Sequence, residues 1–212
     1  MNAAGRRAWL AGVAVTASVF AASGRASADS LSRDETARLG HGETVVRSST
    51  LEGDDYRYVG GVAYSILDGQ PDELTALLDD VETYRAVLPR TISARVVGTV
   101  GGDALVELHQ GTSMFEVAYT IRVRKDPAHG AVRFWLDRSR AHGIDDAWGF
   151  FRLAPLGDGR VLLTFGALVD VGEGMLRLFF EERVRAAMMS VPSRMQRFLE
   201  RRHVLARALP LH

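Results

Sequence analysis

The chain has no cysteine among its 212 residues. That absence removes disulfides, thiolate metal sites and a cysteine nucleophile together. The six histidines (His41, His109, His129, His142, His203 and His212) are scattered, with no pair at ligand spacing, so no metal site is expected. His142 with Asp145 and Asp146 is the one local cluster, and a polar loop accounts for it. No glycine-rich phosphate loop follows a strand, because Gly101-Gly102 and Gly157-x-Gly159 read as hairpin turns, and no serine stands in a nucleophile elbow. No pattern asks for a cofactor. Charge of one sign is also lacking: 26 basic residues balance 26 acidic ones. Without a concentrated basic face, no nucleic-acid partner is expected.

No long hydrophobic run is present either. The apolar stretch Trp9 to Ala22 is too short and too rich in Ala, Gly and Ser to span a bilayer, which takes ~20 apolar residues. Its setting is that of a cleavable leader. Arg6 and Arg7 precede it, Ser23-Gly24-Arg25 breaks it, and Ala26-Ser27-Ala28 supplies the small-x-small cleavage pattern. Cleavage is expected after Ala28, with a periplasmic location in a Gram-negative bacterium. Gly5 to Gly12 (GRRAWLAG) also resembles a twin-arginine signal, with Trp9 where Phe is usual and Ala11 where Lys is common. An ordinary secretory signal fits the same residues. Removing the leader takes three arginines and no acid, leaving 184 residues with a formal net charge of −3. That length suits one domain with a real core.

From Asp29 to Gly42 the chain is polar, with a short helical pattern around Asp34 to Leu39. Thr44 to Leu51 is rich in β-branched residues, and Glu52-Gly53-Asp54-Asp55 reads as a turn. Tyr56 to Leu67 is the next strand, where Gly60-Gly61 predicts a bulge or bend. Pro71, Asp72 and Glu73 then open a helix whose apolar residues are Leu74, Leu77, Leu78 and Val81; the pattern continues through Tyr84 and Leu88 to Pro89. A run of antiparallel strands follows, predicted over Ile92–Val100, Ala104–His109, Phe115–Lys125, a segment around Val132 to Leu136, Trp148–Ala154 and Val161–Val171. Each alternates, so each has one buried and one wet face. Gly172-Glu173-Gly174 separates them from a long helix, about Met175 to Arg202. Leu176, Phe180, Val184, Met188, Val191, Met195 and Phe198 form its apolar stripe. Pro192, in its middle, predicts a kink.

This order of elements resembles the START-like helix-grip superfamily. More closely it resembles the bacterial branch described as polyketide cyclase/dehydrase or coenzyme Q-binding/ribosome-association-toxin-like. Three stretches carry the resemblance, which covers roughly Tyr56 to Arg202. Val81 to Pro89 (VETYRAVLP) is similar to the family's short second helix, and Phe151 to Arg160 (FRLAPLGDGR) to its penultimate hairpin. The amphipathic helix after Gly174 is similar to its gripping helix. Phe151 stands where the family often has Trp, and Thr44 to Leu51 is an extra strand-like segment. These are marks of fold, not of catalysis. The fold expected is α+β: a curved antiparallel sheet of about seven strands around a long C-terminal helix, with two short helices after the first core strand. The division expected is a leader over 1–28, an N-terminal extension over 29–55, a START-like domain over 56–204 and a tail over 205–212.

The resemblance implies a pocket between sheet and helix. Its expected wall is Val117, Tyr119, Ile121, Phe134, Leu136, Phe151, Leu163 and Phe165 from the strands, facing Phe180, Met188 and Met195 of the helix. Methionine suits a wall that adapts to its guest. Periodicity by itself fits a solid core equally well, and a one-residue slip would turn each strand residue to the opposite face. Three readings of function stand side by side. The first is a monomeric carrier or sensor for a hydrophobic small molecule or lipid, since each buried methylene contributes ~0.8 kcal/mol. The second is a small cyclase or dehydratase acting on a polyketide-like substrate. It would draw acid–base groups from Glu107, His109, Glu116, Tyr119, Arg122, Arg133, Asp137 and His142, with His109 and Glu107 the first catalytic candidates. The third is a module for partner binding or transient membrane contact through Met175 to Phe180, which is apolar nearly all round.

Overall fold

The computed structural model describes residues 31–112, 115–172 and 175–208. The leader expected over residues 1–28 lies outside them. The chain divides into two units, residues 1–37 and 38–212. The boundary falls within helix α1 (Arg33–Gly40), which a capping box opens: Ser32 N–H donates to Glu35 Oε2 at 2.8 Å, and Glu35 N–H donates to Ser32 Oγ at 3.1 Å.

In the second unit, eight antiparallel strands are found among the described residues: β1 (Val45–Glu52), β2 (Arg57–Asp68), β3 (Thr91–Val100), β4 (Asp103–Thr112), β5 (Phe115–Asp126), β6 (Ala131–Leu136), β7 (Asp146–Pro155) and β8 (Arg160–Asp170). Their spatial order is β1-β2-β8-β7-β6-β5-β4-β3. From β3 to β8 every neighbour in space is also a neighbour in sequence, the product of short turns between alternating segments. The extra segment becomes β1 and pairs with β2 along its whole length, which puts it at one edge. Pairing passes through Gly60 and Gly61 without a register shift, so the expected bulge does not form there. These glycines instead let strands close in on both sides: a Cβ on Gly60 would strike the Ala167 carbonyl and one on Gly61 the Arg47 carbonyl. The register shifts lie on edge strand β3, at Thr91/Ser93 and Val96/Gly98. Irregularity of that kind discourages edge-to-edge pairing, and Ile92, Val96 and Val100 are exposed on this strand.

Two short helices follow β2. Helix α2 (Pro71–Asp79) begins on Pro71, and α3 (Val81–Val87) is capped by the Asp80 side chain, which accepts from Glu82 N–H at 3.0 Å. Leu74, Leu77, Leu78, Tyr84 and Val87 are buried in the main core. Tyr84 donates its hydroxyl to the Leu78 carbonyl at 2.8 Å, tying the helices together.

The C-terminal helix is bent into two segments, α4 (Met175–Met189) and α5 (Val191–Ala208), so it extends past Arg202. The break is at Ser190. Its Oγ donates to the Ala187 carbonyl at 2.6 Å and accepts from Arg194 Nε at 3.1 Å. Pro192 therefore stands in the first turn of α5, where a missing N–H costs little, rather than inside one continuous helix. Segment α5 packs on α3, β2 and β8, while α4 lies along β2 and β8. An ionic clasp fixes α4: Glu181 receives Arg57 through both carboxylate oxygens, at 3.0 and 3.1 Å, and Arg185 donates to Thr50 Oγ1 at 2.8 Å. The result is a START-like helix-grip fold, a sheet holding a long bent helix.

Candidate functional site

Sheet and helix do not close on each other completely. Between them lies a cavity of about 250 Å³. Its floor is aromatic: the rings of Phe151 and Phe165 lie 4.8 Å apart, with Phe134 at 5.9 and 6.3 Å from them. Val117, Tyr119 and Ile121 line it from β5, Ala147 from β7 and Ala167 from β8. Segment α4 closes it with Val184, Ala187 and Met188, and Val191 is its contribution from α5. Tyr84 of α3, with Leu88, Pro89 and Arg90 of the turn that follows, completes the wall. Arg90 holds a left-handed backbone (φ 56°) while its carbonyl accepts from Gly111 N–H at 2.9 Å.

Polar groups here are few. Gln110 of β4 and Tyr119 of β5 both line the cavity, and the Tyr119 hydroxyl donates to Gln110 Oε1 at 2.5 Å. Gln110 Nε2 in turn donates to the Pro89 carbonyl at 3.2 Å and to Thr91 Oγ1 at 3.0 Å. Burial pushes the Tyr119 pKa well above the ordinary tyrosine value, so the hydroxyl keeps its proton. Among the described residues, Arg90 and Arg183, both exposed, are the charged residues of the lining. Among the described residues no carboxylate or imidazole lines the cavity.

Seven of the residues expected at the wall meet there: Val117, Tyr119, Ile121, Phe134, Phe151, Phe165 and Met188. Three others do not reach it. Leu163 and Met195 are fully buried in the main core, and Leu136 packs in a smaller cluster with Val59, Ile144, Ala147 and Val169. Met195 sits one turn past Val191, where α5 packs down and leaves no gap. Phe180 is on α4, in a stretch whose side chains lie outside the described ones.

The first catalytic candidates, Glu107 and His109, face away from the cavity. On β4 the face towards the core and cavity carries Val106, Leu108 and Gln110, so Glu107 and His109 lie on the opposite face. There Glu107 pairs with Arg95 at 2.7 Å, which holds its carboxyl below the usual range, and His109 lies 3.6 Å from the same oxygen. Neither can serve chemistry inside. Arg122 and Asp137 bond to each other at 3.0 Å, Arg133 reaches Asp126 at 3.3 Å, and His142 contacts the Ile144 carbonyl at 2.8 Å. Glu116 is exposed on β5. Of the acid–base candidates only Tyr119 belongs to the cavity. The lining also includes residues outside the expected wall, among them Ala147, Ala167, Val184 and the polar Gln110. The alternation of Val106 and Leu108 with Glu107 and His109 already puts Gln110 on the apolar face.

No protein-family model matches the sequence, and no curated protein matches it. Solved structures do share the fold. A STAR-related lipid transfer protein fragment from Xanthomonas axonopodis superposes with a TM-score of 0.57 at 16% identity, over 74% of this chain and 93% of that one. A START superfamily protein from Mycobacterium smegmatis gives 0.54 at 13% identity, over 66% and 96%. The di-domain ARO/CYC BexL from the BE-7585A biosynthetic pathway gives 0.51 at 17% identity, over 66% of this chain and 46% of that one.

Proposed function

We propose that this protein binds a hydrophobic small molecule or lipid in its internal cavity, as a carrier or sensor in the periplasm. The observation that carries the reading is the cavity itself, about 250 Å³ behind a wall of phenylalanine, valine, isoleucine, alanine and methionine. An apolar cavity of about 150 Å³ stays dry and takes up benzene. Empty space of that kind costs about 24 cal/mol per Å³, and an apolar guest offsets the cost. A fold shared with a lipid transfer protein supports the same reading. The Arg6-to-Ala28 leader pattern supports export.

A cyclase or dehydratase fits less well. Tyr119, the one of the acid–base candidates that lines the cavity, is held as a neutral phenol, and no carboxylate or imidazole lines the cavity among the described residues. Acid–base catalysis of cyclisation or dehydration works best with a group whose pKa lies near the operating pH, and burial moves this phenol away from that range.

The test is native mass spectrometry of protein taken from its own periplasm, followed by solvent extraction of whatever accompanies it. A co-purifying lipid, sterol, quinone or pigment is the expected result, on a chain that begins at Asp29. A clean ligand-free mass, together with no thermal stabilisation by fatty acids, sterols, isoprenoids or quinones, would overturn the reading.

A further inference from the structure

Among the described side chains that line the cavity, Tyr119 and Gln110 bond to each other, and the direction of that bond follows from its neighbours. A glutamine amide can be turned either way, so the partners must decide. The Pro89 carbonyl only accepts, and it lies 3.2 Å from the outer amide atom of Gln110. That atom is therefore the nitrogen, which also reaches Thr91 Oγ1. The atom facing Tyr119 must then be the oxygen, which only accepts. The Tyr119 hydroxyl has one proton and gives it to Gln110. Towards a guest, Tyr119 Oη has lone pairs to present and no proton.

Resting on the cavity as a binding site for an apolar guest, we propose that it selects guests carrying a hydroxyl donor, a phenol or an alcohol, which donates to Tyr119 Oη. A ketone, ether or ester of the same shape meets an acceptor there. To bond it, Tyr119 must abandon Gln110 and leave a part-buried amide oxygen without its donor. Arg90 and Arg183 also line the cavity but are exposed, whereas the Tyr119–Gln110 pair is part-buried, so the choice between donor and acceptor guests is made at Tyr119.

The experiment uses three probes of one ring system: naphthalene, 2-naphthol and 2-methoxynaphthalene. Affinities are measured by calorimetry for the native chain, Tyr119→Phe and Gln110→Leu, each first shown to melt cooperatively. The native chain should prefer 2-naphthol over 2-methoxynaphthalene by about fivefold more than Tyr119→Phe does, the worth of one net hydrogen bond. Naphthalene should bind both about equally. Gln110→Leu frees the tyrosine proton and should move the preference towards 2-methoxynaphthalene. If all three proteins bind naphthalene with the same preference among the probes, donor selection is overturned and the apolar site stands. If naphthalene does not bind the folded native chain, the site and the selection fall together.

Discussion

The ring of Phe134 lies over Gly149, its cross-strand partner on β7, in the space a Cβ there would occupy. The same Cβ would also meet the Gly166 carbonyl, which is backbone and cannot turn aside. Gly149→Ala should therefore destabilise the protein by about 1–3 kcal/mol, as overpacking does. Adding Phe134→Leu should recover only part of that, because the carbonyl clash remains. Urea midpoints of the single and double variants check this; full recovery would mean that the ring alone sets the limit.

Whether the space beside the phenylalanines is empty can be tested by filling it. Ala167 is buried on β8 and faces the cavity. Ala167→Leu adds three carbons to that space. Stability should stay within about 1 kcal/mol of the native chain, where a packed core would lose 1–3 kcal/mol. Affinity for naphthalene should fall at least about tenfold, the equivalent of 1.4 kcal/mol. A large loss of stability would show a solid core.

Pro192 gives a test of the helix break. Replacing a proline inside a helix by alanine relieves about 3 kcal/mol, whereas in a first turn it changes little. Pro192→Ala should shift stability by less than about 1 kcal/mol. The bend should persist, since Val191, Met195 and Leu199 remain buried on α5. A gain near 3 kcal/mol would show that the two segments want to be one.

Acid should weaken the fold partly through Asp137. This carboxylate is 3% exposed. It accepts from Ser139 Oγ at 2.7 Å and Arg122 at 3.0 Å, and the serine first, then the arginine, hold its pKa below the usual value against the effect of burial. A depressed carboxylate stabilises the native state above its unfolded pKa of about 3.9 and loses that contribution as pH falls through the folded value. Stability should thus drop below about pH 4. Asp137→Asn should be less stable at pH 7 and should lose part of this acid slope. Denaturation curves at both pH values decide it; identical slopes would uncouple Asp137 from the acid transition.

The strands were legible because their signal is local. Alternation over Val117, Tyr119, Ile121 and Val123 needs no knowledge of the rest of the chain, and β5 forms where it predicts. Turn residues set the hairpins in the same way. Even the inward side of β4 was written in the order Val106-Glu107-Leu108-His109, though the polarity of Gln110 concealed it.

What the sequence by itself determined is therefore the element order and the antiparallel meander. Central strands β2 and β8 are buried on both faces over much of their length, which alternation did not foretell. Tertiary structure alone decided where packing stops. Leu163 and Met195 carry the same periodic signal as Phe165 and Met188, yet the first two fill a core and the second two border a cavity. Periodicity reports which side of an element turns inward. A gap arises only from how far apart two elements are held, here by the α4 clasp to β1 and β2 and by the break at Ser190, and these depend on residues distant in the chain. The helix break itself was half visible: proline announced a bend, and packing against α3 and the sheet put it at Ser190. The Tyr119–Gln110 bond has the same origin, since its direction is imposed by a carbonyl at Pro89 that only the folded turn brings within reach.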